Sequence, residues 1–272
     1  KASQEEKIVK LNPSKAYKSM NLTVFTLVMI FLYIPILILV IFSFNDAKII
    51  VGWRGFTLKY YELLFQNEAI KTAFWNTMLI ASLSTLISTV LGILAALGLE
   101  NKNFTGRKGL LALIYTPLVI PDILMGVSLA LLFNFARFNT GMITVLIAHI
   151  TFCLSYTVIV IQSRLEDFDY SLVEAAMDLG AKPSAIFWKI KLPLMMPGII
   201  AASLLAFTLS IDDFIITFFT SGRGFDTLPI YVEGTIRRGT ITTINSLSTL
   251  MIGFTLFLAV STGRIRKNLF NL

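Results

Sequence analysis

The sequence predicts an all-α integral membrane protein with six transmembrane helices, and three observations carry that reading. Of its 272 residues, 56% are hydrophobic and 14% charged, with a mean hydropathy of +0.77, far from the soluble average. Uncharged apolar runs long enough to cross about 30 Å of hydrocarbon, at about 1.5 Å per residue, recur along the chain. The Lys and Arg behind the net charge of +7 are scattered over connecting segments and flank these runs. They form no stripe of the kind a nucleic-acid surface needs, so nucleic acid is excluded as a partner and membrane lipid is implied.

Residues 1–22 carry Lys1, Lys7, Lys10, Lys15 and Lys18 with little hydrophobicity and read as a cytoplasmic lead-in; residues 23–272 read as a single transmembrane domain. Span one is expected over 23–44, with Pro35 as a tolerated kink. It is too long for a cleaved signal peptide and no small-residue cleavage site follows it. Asn45 to Lys71 reads as a polar loop whose Trp53, Phe56, Tyr60 and Tyr61 suit a membrane interface, ending in a short amphipathic segment. Span two follows over 72–99, then a connector with Lys102, Arg107 and Lys108, then span three over 109–136, interrupted by Pro117 and Pro121. Span four covers 139–163, span five 192–222 and span six 240–263, before a basic tail. Placing both termini inside assigns 15 of the 23 Lys and Arg to cytoplasmic segments, which favours that orientation.

Between spans four and five, residues 164–193 form a polar interlude. Within it Leu172, Ala175, Ala176 and Leu179 share one helical face, and Glu174 and Asp178 the other. Gly180 suits the positive φ that ends a helix, and Pro183 the first turn of the next, expected over Ser184 to Lys191. The result is a helix-turn-helix elbow. An amphipathic helix lying on the membrane would carry lysines and larger apolar residues instead.

The chain holds no phosphate-binding Gly-x-x-x-x-Gly-Lys-Ser/Thr loop, and one histidine and one cysteine, Cys153, make no catalytic or metal cluster and no intrachain disulfide. A transport subunit is expected, not an enzyme. The informative residues are acids inside the spans, because a carboxylate in hydrocarbon needs a polar cavity or a partner. Asp122 is expected near the middle of span three, and Asp212 and Asp213, if the membrane-embedded part of span five starts near Gly198, about 20 Å from its cytoplasmic end, about 100° apart on one helix. His149 is expected about 15 Å from the outer end of span four. No Lys or Arg lies within a span to neutralise them, so the pathway reads as acidic and suited to a cation. Alternatives stay open at each position. Asp122 is a pathway acid or a cap for a helix restarted after Pro121; one of Asp212 and Asp213 bonds a neighbouring span; His149 is an interhelical hydrogen-bonder or a ligand. Phe214, with Phe207, Phe218 and Phe219, packs or stacks on an ammonium group.

The spacing Glu174-Ala175-Ala176, three residues, Gly180, nine residues, Ile190-x-Leu192-Pro193 resembles the EAA loop of bacterial binding-protein-dependent ABC importer permeases. Further stretches are similar to the spermidine/putrescine type, specifically its C-type subunit. These are Ser43-Phe44-Asn45 with Trp53-x-Gly55-Phe56-Thr57, Pro121-Asp122, His149-Ile150-Thr151-Phe152, Ser163-Arg164-Leu165 and Ser210-Ile211-Asp212-Asp213. The resemblance implies the type I ABC importer permease fold in a bacterial cytoplasmic membrane, with the elbow as a cytoplasmic coupling helix. There Ala175, Ala176 and Gly180 allow close approach to an ATPase, Glu174 and Asp178 make polar contacts, and Leu192 and Pro193 close the motif. It implies a second permease in a heterodimer, a dimeric ATPase that binds ATP and Mg, and an extracytoplasmic polyamine-binding protein, with no cofactor in this chain. Permeases for ferric iron, thiamine or a phosphonate share the elbow; an ion-coupled secondary transporter shares only the buried acids.

Overall fold

The computed structural model describes residues 15–47, 52–100, 105–166, 168–238 and 241–270. In chain order the helices are α1 (Lys15–Phe42), α2 (Lys59–Gln66), α3 (Glu68–Glu100), α4 (Arg107–Val119), α5 (Asp122–Phe135), α6 (Met142–Glu166), α7 (Ser171–Asp178), α8 (Pro183–Ile186), α9 (Leu192–Asp212), α10 (Ile215–Thr220), α11 (Leu228–Arg237) and α12 (Ile241–Phe270). A π-helical turn, Phe187–Lys191, joins α8 to α9. The chain divides into two units, residues 1–62 with 240–254, and residues 63–239 with 255–272.

In the first unit α1 is apolar on every side and mostly exposed over Met20–Phe42, as a helix whose solvent is lipid should be. It starts at Lys15, inside the segment read as a lead-in; Lys1, Lys7 and Lys10 lie outside the described residues. After α1 the chain folds back on itself. Asn45 accepts a hydrogen bond from Arg54 N–H (2.7 Å) and donates to Gly52 O (2.7 Å), while Phe44 stacks on Phe56 with centroids 5.4 Å apart.

The core of the second unit is α3, α6 and α9. Small residues let these helices approach closely: a Cβ on Gly92 would fall 2.6 Å from Thr157 Oγ1, and one on Gly198 2.8 Å from Arg164 Cβ. Thr157 donates to Ser88 O (3.0 Å), and Ala96 packs with Ile161 and Leu165, so α3 and α6 run the same way. Ser84 meets Ser210 at one level and Ala96 meets Met195 at another, so α9 runs against them. The start of α3 holds the α10–α11 connection, through Asn76 to Asp226 O (2.9 Å) and Leu228 N–H to Thr77 (2.7 Å). Its last residue, Glu100, meets the elbow. The elbow and the α10–α11 loop therefore sit at opposite ends of α3.

Several boundaries differ from expectation, each for a local reason. The second span starts at Glu68, not Thr72, because Asn67 Oδ1 caps it by accepting from Ala69 and Ile70 N–H (3.0 and 3.2 Å). The third is not one straight span over 109–136: α4 and α5 are bent by 116° at Ile120–Pro121. Pro121 holds Ile120 extended (φ −75°, ψ 131°), whereas Pro117 stays inside α4. The fifth helical run starts at Pro183 and stops at Asp212, instead of reaching residue 222, and α10 is a separate short helix. The helix expected over Ser184 to Lys191 is α8 plus the π turn, continuous with α9. Among the described residues, four helices are long and apolar enough to cross a membrane, and the α4–α5 pair makes a fifth if it is one span. Of the sixth expected span, the apolar part described is the shorter Thr243–Phe257 of α12; Thr240 and Lys102 lie outside the described residues.

Candidate functional site

Two places gather the residues singled out from the sequence. The first is the break after α9. Asp212 is its last residue, Asp213 is extended (φ −64°, ψ 119°), and α10 starts at Ile215. Asp213 makes this break. Its Oδ2 accepts from Thr217 N–H and from Thr217 Oγ1 (2.8 Å each), and its Oδ1 from Ile216 N–H (3.3 Å). The carboxylate thus satisfies the free donors, and offsets the positive pole, at the N-terminus of α10. His149 reinforces it from α6. Nε2 lies 2.8 Å from Thr217 Oγ1 and 3.4 Å from Asp213 Oδ2, and Nδ1 lies 2.7 Å from Ser210 Oγ, which in turn meets Ser84 Oγ (3.1 Å). Because a carboxylate only accepts, Thr217 donates to Asp213; assigned from these partners, Nε2–H donates to Thr217 and Nδ1 accepts from Ser210. Asp212 and Asp213 are therefore not neighbours on one helix, about 100° apart, but fall on either side of a break.

His149 is 1% exposed and Asp213 has a side chain 9% exposed, so this set is enclosed by α3, α6, α9 and α10. Asp212 differs. It is exposed at the C-terminal end of α9, and among the described residues its carboxylate has no ion pair and no hydrogen bond from another residue. Asp122 is likewise exposed and without a side-chain partner among them; the first turn of α5 closes on the Pro121 carbonyl, which accepts from Leu124 and Met125 N–H (2.9 and 3.1 Å). Asp122 lies one turn before Gly126. A Cβ on Gly126 would fall 2.9 Å from the Phe219 ring and 3.4 Å from Ile215 O, so the start of α5 lies against the start of α10. Two helix breaks thus adjoin, each carrying an unpaired acid, with Phe214 half-buried between α9 and α10 and its ring 5.5 Å from that of the exposed Phe218.

His149→Ala is expected to leave Ser210, Thr217 and Asp213 each short of a partner inside the packing. The loss is about 1–3 kcal/mol of stability, the scale for leaving buried hydrogen-bonding groups unsatisfied, and thermal unfolding in detergent checks it.

The second place is the elbow. Asp169 accepts from Ser171 N–H (3.0 Å), and hydrogen bonding from the Ser171 hydroxyl and amide holds its carboxyl below the usual carboxylate range. At the far end Gly180 takes φ +79°, Ala181 N–H reaches Ala176 O (3.0 Å) and Gly180 N–H reaches Met177 O (2.8 Å), the paired bonds of a Schellman cap. Lys182 is extended and Pro183 opens α8. No residue of α7 is buried: Glu174, Ala175 and Asp178 are exposed, Ala176 is half-buried, and Leu172 and Leu179 present an open apolar face. Leu192 packs partly on the Ala96–Met195 cluster while Pro193 is exposed. Glu100, which sequence reasoning passed over, accepts from Tyr170 OH (2.6 Å) at the start of the elbow and pairs with Lys191 at its end. As an acid at the close of an apolar run it reads as a solvated helix end; Ser84 and Thr217 carry no signal in the sequence, and Ser210 stands out only as part of the Ser210–Asp213 stretch.

The second unit thus carries an exposed elbow at the end of α3 and, about halfway along α3 where Ser84 meets Ser210, a helix break flanked by acids. The family described as "Binding-protein-dependent transport system inner membrane component" matches residues 88–270. The chain is 43% identical over 230 residues to the putrescine transport system permease protein PotI of Escherichia coli (strain K12), covering 82% of each. It is 35% identical over 243 residues to the spermidine/putrescine transport system permease protein PotC of the same strain, covering 89% of this chain and 92% of that one. Among solved structures, a bacterial ABC transporter involved in the import of the acidic polysaccharide alginate superposes with a TM-score of 0.73 at 16% identity, over 93% of this chain and 98% of that one. The chain belongs to the inner-membrane components of binding-protein-dependent transport systems, with the type I ABC permease fold.

Proposed function

We propose that the chain is the permease subunit of an ATP-driven importer of polyamines such as putrescine and spermidine, supplying half of the translocation pathway. The observation that carries this reading is the pair of unpaired acids, Asp122 and Asp212, at adjoining helix breaks in a chain with no Lys or Arg inside its apolar runs. The end of α9 adds to their charge, since its last carbonyls form the negative pole of the helix. An ammonium group entering there gains two carboxylates and loses no existing partner, and Phe214 and Phe218 offer ring faces to its methylenes. The names of the relatives support a polyamine; the alginate transporter illustrates that the fold alone does not select the solute.

A second permease completes the cavity, and a binding protein delivers the substrate on the side of the α10–α11 loop. A dimeric ATPase, holding ATP and Mg, docks on α7 from the cytoplasm, where both termini lie; the membrane is the bacterial cytoplasmic membrane. Leu172, Ala175, Ala176 and Leu179 are the docking face, and Glu174 and Asp178 its polar border. Co-purification of this chain with its partner permease and ATPase, followed by ATP turnover with added binding protein, tests the assignment. Polyamine-loaded binding protein should raise turnover above the unloaded form. Equal turnover with and without polyamine would refute the substrate.

A further inference from the structure

We infer that Glu100 is the residue that ties the coupling elbow to the transmembrane core, and that its pairing with Lys191 carries the elbow's displacement into α3. This rests on the reading of α7 as the ATPase-docking helix.

The elbow needs such a tie because it has little else. None of its α7 residues is buried, only Val173 and Ala176 are half-buried, and the helix packs on α8 and the π turn of the same elbow, so little apolar packing fixes it to the core against a sideways load. A helix held to the core mainly through its two connections pivots on them. Both connections lead to the same carboxylate. Tyr170, one residue before α7, donates its hydroxyl to Glu100 Oε1 (2.6 Å), and Lys191, the last residue of the π turn, reaches both Glu100 oxygens. Lys191 also lies over the Tyr170 ring, 5.9 Å from its centroid. The Glu100 and Lys191 side chains are only 21% and 17% exposed, so water weakens the pair less than it does an open surface pair. Burial and the neighbouring Glu100 push the Tyr170 hydroxyl up to about 12, so it remains a donor throughout the physiological range.

Glu100 closes a 33-residue helix. At about 1.5 Å per residue, α3 extends roughly 50 Å from the elbow to the far side of the core. From Ser84 to Leu99 it is packed against α6 and α9, and nearer its start it holds the α10–α11 connection, so it moves as a body. Along it, Ser84 touches Ser210, two residues before Asp212, and Thr77 and Asn76 hold the α10–α11 connection. A displacement of the elbow that Glu100 delivers to α3 is therefore felt at the acid break. Without Glu100 the elbow swings on α8 and the π turn while α3 stays behind.

The test uses the complete complex in vesicles, with binding protein outside and ATP inside, scoring three quantities: ATPase retained on purification, stimulated ATP turnover, and polyamine delivered per ATP. Glu100→Gln should retain the ATPase and its basal turnover yet deliver at least about fivefold less polyamine per ATP, within the range of allosteric couplings. Tyr170→Phe, which keeps the ring over Lys191, should give a smaller loss in the same ratio. Glu100→Lys combined with Lys191→Glu should recover much of the ratio that either single reversal loses, which a merely structural role would not produce. An unchanged ratio in Glu100→Gln, or a double reversal no better than the singles, overturns the inference. Failure of the unaltered chain to retain its ATPase would instead overturn the docking reading on which it rests.

Discussion

Asp212→Asn is expected to lower polyamine uptake by about 10- to 100-fold at subsaturating substrate, the scale of losing one charge-assisted hydrogen bond of about 1.5–3 kcal/mol. The amount of assembled complex should stay the same. Both halves follow from the geometry. Asparagine keeps the size and shape of the side chain and removes only its charge, and Asp212 has no side-chain partner among the described residues that the change would orphan. The same substitution one residue on would act differently, since Asp213 holds Ile216 and Thr217 and faces His149. Its loss would unmake the break itself. Uptake of labelled putrescine, with complex yield from the same membranes, separates the two. Unchanged uptake kinetics in Asp212→Asn would remove that residue from the pathway.

Gly180→Val is expected to reduce stimulated ATP turnover by about tenfold while the chain still inserts and folds. Gly180 sits at φ +79°, and a residue with a Cβ pays about 1–2 kcal/mol to stay there, more when β-branched. A Cβ at this position meets nothing within 4 Å, so the effect comes from the backbone and not from a clash. The chain escapes the strain by giving up the bonds from Gly180 and Ala181 to Met177 and Ala176, which re-aims α7 relative to α8. Since no residue of α7 is buried, the core does not feel the change. Turnover driven by loaded binding protein is the measurement, and normal stimulation in this variant would refute α7 as the docking element.

The elbow was legible in the sequence because its determinants are local. Gly180 and Pro183 act on the dihedrals of their own backbone, and the Schellman cap and the α8 start lie where those two residues require. The long apolar runs were legible because hydrocarbon thickness sets their length. The break after α9 was not, since no Pro or Gly marks it: α9 stops because the Asp213 carboxylate captures the donors of the next turn, steadied by a histidine on a different helix. From the sequence the two acids are simply adjacent; in the fold one is used up in the structure and the other is left open. At Pro121 the interruption was readable but its 116° angle was not, because proline forbids a helical Ile120 without dictating where α5 then packs. Glu100, unlike His149, carries no signal of its own in the sequence. Its meaning lies in Tyr170 and Lys191, which the chain brings to it only through the elbow.

Conduction of polyamines under ATP control is the function proposed for this permease family member. It is tested most directly by uptake of labelled putrescine and spermidine into vesicles holding the chain, its partner permease and the ATPase, with binding protein outside and ATP inside. The expected result is ATP-dependent uptake that unlabelled polyamines compete and that thiamine and ferric iron do not. Intact ATP turnover without polyamine uptake would contradict it.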